Sequence, residues 1–144
     1  MTPEQVELVR SSYASLGGRS PAMAFEFYRR LFALDPGIED MFTYGPDIMK
    51  DKFSGELAAI VEAIVDFDAF SARLHDLATR HAGYGVQVRH YRLVGEALLG
   101  ALADALGPDW DEAHEAAWRN AFNLVAEVMM AAAAEAGHAP APET

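Results

Sequence analysis

The sequence predicts an all-α protein, and two observations support this fold class. Alanine is the most frequent residue, and together with leucine, glutamate and methionine it gives most of the chain a strong helix propensity. Apolar residues recur at helical spacing, whereas alternating runs of β-branched residues between turn residues are missing. Start and stop signals divide the chain into six or seven helices with short connections, which can pack as a bundle or in a crossed arrangement.

Two start signals define the first two helices. Thr2 is suited to the N-cap position and Gln5 completes a capping box, so the first helix begins here and ends at the glycines that follow Leu16. Ser20 is expected to cap a second helix, which Pro21 opens. One face of that helix carries four apolar residues at helical spacing: Phe25, Tyr28, Leu31 and Phe32.

Turn residues define the middle of the chain. Residues 35–36 begin a short helix that ends near residues 41–42, and residues 43–46 form a loop. A longer helix follows from about residue 47 to about residue 65, and a break at 66–68 precedes the next one. That fourth long helix carries an apolar stripe that ends on a histidine: Phe70, Leu74, Leu77, Ala78 and His81.

The C-terminal part of the chain contains two further helices. One runs from about residue 89 to residue 106 and stops at a Gly-Pro pair, and the last runs from about residue 111 to residue 136. We therefore expect a single domain over residues 1–136 and a short flexible tail over residues 137–144.

Length, cysteine content and charge exclude several classes of protein. A chain of 144 residues fits one ordinary domain. Because cysteine is absent, a disulfide scaffold, a cysteine nucleophile, an iron–sulfur cluster and a thiolate zinc site are excluded. The 22 acidic residues outnumber the 11 basic ones and give a net charge of −11, which argues against binding of nucleic acids or of anionic membranes.

Sequence patterns also point away from secretion and from the common enzyme classes. The N-terminus lacks the basic and apolar segments of a signal peptide, and no apolar run approaches the roughly 18–20 residues that a membrane span needs. We therefore expect a cytoplasmic protein. Zinc-protease, nucleophile-elbow, phosphate-loop and dinucleotide motifs are missing, so a classical hydrolase, kinase or dehydrogenase has no support.

His81 is the residue that points to a specific chemistry. It ends the apolar stripe of the fourth long helix, where an imidazole is suited to act as an axial ligand of haem iron. The carbonyl of Leu77, one turn earlier, is available to the second ring nitrogen. Spacing alone favours a hydrogen-bonded core histidine over an iron ligand, because one helical match is weak evidence. His75 falls on the polar face of the same helix and is expected at the surface.

Several segments in order resemble bacterial single-domain haemoglobins and the globin domains of flavohaemoglobins. They are residues 25–36 (FEFYRRLFALDP), the pair Met41-Phe42, residues 80–86 (RHAGYGV) and residues 90–99 (HYRLVGEALL). The resemblance extends over about residues 2–136. It implies a globin fold of six to eight helices around a haem pocket, with haem b and its iron as the cofactor.

The resemblance implies roles for three residues. His81 matches the proximal iron ligand, and Phe42 matches the phenylalanine that packs on the haem face. Tyr28 matches the distal tyrosine, whose hydroxyl donates a hydrogen bond to the oxygen ligand because that ligand acquires partial negative charge. The alternative for Tyr28 is a buried tyrosine whose hydroxyl is bonded to a carbonyl or to water.

The distal side departs from the family pattern. Met49 stands where the family most often has glutamine or histidine, and its thioether is only a weak acceptor. Phe53 stands one turn later, where a smaller aliphatic residue is usual, and it could narrow the pocket and slow ligand access. Both residues could equally fill core volume, or Lys50 or Lys52 could swing toward the iron instead.

The remaining site residues follow from the same resemblance. Lys52 and Arg80 lie at the polar edges of the inferred pocket, where they could pair with haem propionates or remain solvated surface charges. The resemblance also places Leu77, Val86, Tyr91 and Val94 in the cofactor pocket.

The proximal side also departs from the family pattern. Tyr91 matches the proximal tyrosine of flavohaemoglobins, but Ala133 occupies the position of its glutamate partner, and Glu135 faces elsewhere. Phe122 stands where relatives often have tyrosine. These differences argue against a strongly activated, peroxidase-like iron.

The resemblance implies reversible binding of molecular oxygen, for storage or delivery, with carbon monoxide and nitric oxide as further ligands. The alternatives are a nitric oxide dioxygenase that works with a separate reductase, a gas or redox sensor, and a haem-free globin-like module. The sequence is compatible with a monomer or a homodimer.

Overall fold

The computed structural model describes residues 1–42, 45–82 and 87–135, and within them the chain forms helices joined by short connections. Six α-helices are present: α1 (Pro3–Leu16), α2 (Ser20–Leu34), α3 (Pro46–Ala63), α4 (Phe67–Ala82), α5 (Val88–Leu106) and α6 (Glu112–Glu135). Short 3₁₀ turns precede α2, follow α2 and follow α5. The all-α class and the expected number of helices are confirmed.

The predicted start of α1 is confirmed, and the predicted start of α2 is wrong in one detail. Thr2 accepts a hydrogen bond from the backbone of Gln5 while the Gln5 side chain accepts one from the backbone of Thr2. Ser20, however, has helical backbone angles and is the first residue of α2 instead of its cap. The reason is that a 3₁₀ turn over Gly17–Arg19 leads directly into α2.

The buried face of α2 also differs from the predicted one. Phe25 is 43% exposed, whereas Phe27 and Leu31 are almost fully buried. Helix α2 packs on both α5 and α3, so it buries a wider arc than a single stripe. Phe25 lies outside this arc, and the ammonium group of Lys50 covers its ring at 5.1 Å from the centroid.

The core consists of two hydrophobic clusters. The larger one joins α1, α2, α3, α5 and the start of α6, and it includes the half-buried Phe42, Phe53 and Val94. The smaller one lies between α4 and α6 around Leu74 and Leu77. Helices α3 and α4 thus both carry buried apolar residues. Helix α3 contributes to the larger cluster, and α4 contributes to the smaller one.

A buried polar contact fixes α6 against α1. The indole nitrogen of Trp118 donates to the hydroxyl of Ser12 at 2.9 Å, and that hydroxyl donates to the Leu8 carbonyl. Both Ser12 and Trp118 are buried.

No helix in the described part of the chain is long and apolar enough to cross a membrane. The predicted loop residues 43 and 44, the pocket residue Val86 and the predicted tail over 137–144 lie outside the described residues.

Candidate functional site

His81 lies in the last turn of α4, above a fully apolar surface. Leu74, Leu77 and Ala78 are buried beneath it in the smaller hydrophobic cluster. The Nδ1 atom of His81 lies 2.9 Å from the Leu77 carbonyl oxygen. Because a carbonyl only accepts, Nδ1 carries the proton and Nε2 carries the ring's lone pair.

The surroundings of His81 keep the imidazole neutral. Burial lowers the pKa of His81, and the charge of Arg80 lowers it further. The hydrogen bond to the Leu77 carbonyl and the carboxylate of Glu56 act in the opposite direction. A neutral imidazole with one fixed tautomer is the form that binds a metal ion.

Four phenylalanine rings surround the ring of Tyr28, the second residue to which the sequence assigned a role. The centroid distances from Tyr28 are 5.0 Å to Phe27, 5.9 Å to Phe32, 5.4 Å to Phe42 and 5.7 Å to Phe53. Three of the four contacts are edge-to-face, and Phe27 also stacks on Phe53 at 4.2 Å. Such close packing holds the Tyr28 ring in place, so the O–H bond is the part of the side chain that can rotate.

The hydroxyl of Tyr28 donates to the backbone carbonyl of Met49 at 3.3 Å. This is the carbonyl-bonded arrangement that the sequence left open for Tyr28. Burial raises the pKa of Tyr28 to about 12, so the hydroxyl keeps its proton at neutral pH and remains a hydrogen-bond donor.

Met49 faces inward from α3. It is 8% exposed, whereas its neighbour Ile48 is 49% exposed, so the register of α3 points Met49 and not Ile48 toward the interior. Phe53 follows one turn later and is half-buried against the ring of Phe27. The distal surface of α3 is therefore apolar at both positions.

The cations at the edges of the site have different surroundings. Lys52 is exposed on α3. Arg80 is half-exposed and pairs with Asp76 at 3.1 Å and with Glu56 at 3.8 Å. Lys50, which the sequence offered as an alternative ligand, lies over Phe25 on the outer side of α2.

The structure places Tyr91 and the two α6 residues considered with it in different surroundings. Tyr91 is half-buried against the smaller hydrophobic cluster. Ala133 is buried, whereas the exposed Glu135 lies 3.5 Å from the surface residue His75. Phe122 lies against Gly95 at the junction of α5 and α6, where a Cβ on the glycine would come within 2.9 Å of the ring.

Two residues near the site were not identified from the sequence. Phe27 stacks on Phe53, and Glu56 links α3 to α4. Glu56 follows Met49 and Phe53 at helical spacing, so the pattern that placed those two residues inward was also a signal for Glu56.

The imidazole of His81 is a donor that fits the iron of haem b. Porphyrin supplies four nitrogen ligands, so one neutral imidazole is sufficient to hold the iron. The described residues contain no cluster of three or more metal-ligating side chains. Aromatic rings of the distal side offer faces to a flat macrocycle, and Lys52 and Arg80 are charges of the right sign for propionates. These features together define the haem-binding globin class.

Comparison with known proteins agrees with this class. The globin family model matches residues 25–129, and the chain belongs to the globin family. Haem b is the cofactor of this family. The chain is 30% identical over 136 residues to a neuroglobin of Danio rerio, with 85% of this chain and 86% of that protein covered.

Two further relatives are of bacterial origin. A flavohemoprotein of Vibrio cholerae is 27% identical over 138 residues, which cover 90% of this chain and 34% of that protein. The chain thus spans about a third of the length of the flavohemoprotein. An engineered carbene transferase, made from a proposed nitric oxide dioxygenase of Rhodothermus marinus, has a similar structure with a TM-score of 0.85. It is 31% identical, with 95% of this chain and 96% of that chain covered.

Proposed function

We propose that this globin binds molecular oxygen reversibly, with ferrous haem b iron held by His81. The observation that carries the proposal is the hydrogen bond from His81 Nδ1 to the Leu77 carbonyl, which presents a neutral imidazole with its lone pair on Nε2. The haem supplies the redox-active iron at which a diatomic ligand binds. The protein would store, buffer or deliver oxygen, and carbon monoxide and nitric oxide would compete for the site.

Tyr28 is the distal donor in this proposal. Its ring is held by four neighbouring aromatic rings, and its hydroxyl is protonated at neutral pH. In the structure this hydroxyl donates to the Met49 carbonyl. A bound oxygen would attract the same O–H by its partial negative charge, so rotation of the O–H bond would exchange one acceptor for the other.

The proposal is tested by the visible spectrum of the purified protein in its ferric, reduced and carbon monoxide forms. We expect a Soret band that shifts sharply on addition of carbon monoxide. His81→Ala should lose haem or hold it in a freely exchangeable form. His75→Ala is the matched control, because His75 lies on the same helix with its side chain 48% exposed.

An unchanged haem spectrum in His81→Ala would show that another side chain holds the iron. Failure of the wild-type protein to give a Soret band after addition of hemin would overturn the haem assignment of the site and leave a haem-free module.

A second candidate function is nitric oxide dioxygenase, and the similarity to flavohemoproteins and to the Rhodothermus marinus protein supports it. Repeated turnover requires re-reduction of the iron by a separate reductase. The test is nitric oxide consumption by the oxygen-loaded protein with and without an added flavin reductase and its nicotinamide donor. Catalytic consumption with the reductase supports this function, whereas a single stoichiometric reaction under both conditions supports the oxygen-binding function alone.

A further inference from the structure

Glu56 connects the two helices that enclose the site. Its two carboxylate oxygens each lie 3.2 Å from Nη1 of Arg73, and one of them lies 3.8 Å from Nη2 of Arg80. Glu56 belongs to α3 and both arginines belong to α4. A single carboxylate therefore holds α4 at two points.

The spacing along each helix directs these contacts toward the site. Arg73 and Arg80 are seven residues apart, which places them two turns apart on one face of α4. On α3, Glu56 shares a face with the distal residues Met49 and Phe53. The connection therefore crosses from the distal helix to the proximal helix on the side where the two helices face each other.

The second point of attachment is next to the proposed iron ligand. Arg80 directly precedes His81, and the charges of Arg80 and Glu56 both act on the His81 imidazole. Because the backbone of Arg80 is continuous with that of His81, a restraint on Arg80 acts one residue from the proposed ligand.

Burial makes this connection stronger than an ordinary surface ion pair. The Glu56 side chain is 22% exposed, whereas those of Arg73 and Arg80 are 42% and 49% exposed. The carboxylate is thus largely shielded from water; it accepts from Nη1 of Arg73 and also attracts the guanidinium of Arg80, so three charges form a small network instead of an isolated surface pair.

We propose that Glu56 is a positioning residue for His81, because its contacts with Arg73 and Arg80 fix the last turn of α4 against α3. The inference rests on the proposed role of His81 as the iron ligand. Glu56 itself does not touch the iron and acts through the helix that carries His81.

The test compares Glu56→Gln with Glu62→Gln in the haem-loaded protein. Glu62 is an exposed glutamate on the same helix and takes part in none of the ion pairs found among the described residues, so it is a matched control. The first measurement is the rate of haem transfer to an excess of apomyoglobin. The second is the iron–histidine stretching band of the reduced protein in resonance Raman spectra, which reports the strain and orientation of the proximal bond.

We expect Glu56→Gln to lose haem roughly three- to ten-fold faster than the wild type. This range lies between the effect of removing an exposed ion pair and the effect of removing a hydrogen-bond partner of a metal-bound histidine. Its iron–histidine band should shift or broaden. Arg73→Gln should show part of both effects, and the double variant should resemble Glu56→Gln because both changes remove the same contact. Glu62→Gln should match the wild type in both measurements.

Three results would overturn the inference. They are equal haem loss in the Glu56→Gln and Glu62→Gln variants, faster haem loss without any change in the iron–histidine band, and additive effects of Glu56→Gln and Arg73→Gln. A wild-type protein that binds no haem would instead refute the proposed function, so the two failures are distinguishable.

Discussion

Replacing Tyr28 with phenylalanine tests the distal side of the site most directly. The substitution removes one hydroxyl and retains the ring that four phenylalanines surround. It removes the hydrogen bond to the Met49 carbonyl and, in the oxygen-loaded protein, would remove the proposed hydrogen bond to the ligand. The two losses affect different rate constants, which makes the experiment quantitative.

The size of each effect follows from the two hydrogen bonds. A bond to a charged acceptor contributes about 1.5–3 kcal/mol, so oxygen dissociation should become roughly 10- to 150-fold faster. The proposed exchange of acceptors requires the hydroxyl to leave the Met49 carbonyl before it reaches the ligand, so the first hydrogen bond adds to the barrier for association. A neutral bond contributes about 0.5–1.5 kcal/mol, so association should become roughly 2- to 12-fold faster. Oxygen affinity should therefore fall by only about ten-fold.

The assay is stopped-flow and flash-photolysis measurement of oxygen and carbon monoxide kinetics. Carbon monoxide carries little charge when bound, so its dissociation rate should change by less than that of oxygen, whereas its association rate should rise equally. Tyr13→Phe is the control, because the Tyr13 hydroxyl also donates to an α3 carbonyl at 3.3 Å, that of Ser54. It should leave both ligands unaffected.

An unchanged oxygen dissociation rate in Tyr28→Phe would show that Tyr28 does not contact the ligand. Faster dissociation with unchanged association would refute the competition with the Met49 carbonyl while retaining Tyr28 as the distal donor.

Two further predictions concern stability. His90 accepts a hydrogen bond from the backbone of Gln87 at the start of α5. Burial lowers the pKa of His90, and the charge of Arg89 lowers it further, whereas the charge of Asp35 raises it. As the pH falls, His90 therefore binds a proton in the unfolded chain at a higher pH than it does in the folded chain. The free energy of unfolding should fall as the pH drops below about 6.5. His90→Gln keeps an acceptor at this position of the capping box and should make the loss smaller, as measured by urea denaturation at several pH values; equal pH dependence would contradict the assignment. Ser12→Ala leaves the Trp118 indole without its acceptor and should destabilise the protein by about 1–3 kcal/mol, with a changed tryptophan emission; unchanged stability would show that the bond contributes little.

The fold was predictable because its signals are local. The Thr2 and Gln5 capping box and the apolar stripe of α4 each lie within a few turns of chain, and both are present in the structure. The buried face of α2 was not predictable, because aromatic residues at positions 25, 27, 28 and 32 fit more than one helical face. Packing of α5 and α3 on α2 decides between those faces and buries Phe27.

The candidate site likewise contains contacts that the sequence predicted and contacts that it did not. The hydrogen bond between His81 and Leu77 joins residues one turn apart, so the sequence predicted it and the structure contains it. The contacts of Glu56 with Arg73 and Arg80 join two helices, and spacing within α3 indicates only that Glu56 lies on the distal face. The acceptor of the Tyr28 hydroxyl is likewise a backbone atom 21 residues away, which no side-chain pattern specifies. Roles of these residues toward haem and its ligands stay predictions.

The partners of His81 favour reversible oxygen binding over oxygen activation. A carboxylate hydrogen-bonded to the second ring nitrogen would give the imidazole more negative character and increase electron donation to the iron. Here that nitrogen donates to the neutral Leu77 carbonyl, and Ala133, which the sequence resemblance assigned to the position of a glutamate, is a buried residue without a charge. Glu56 is the carboxylate that acts on His81, but its oxygens are held by Arg73 and Arg80, so its charge is largely balanced. A neutral imidazole on one side of the haem and a single hydroxyl on the other would stabilise an oxygen ligand without strongly weakening its O–O bond, which is what the proposed reversible oxygen binding requires.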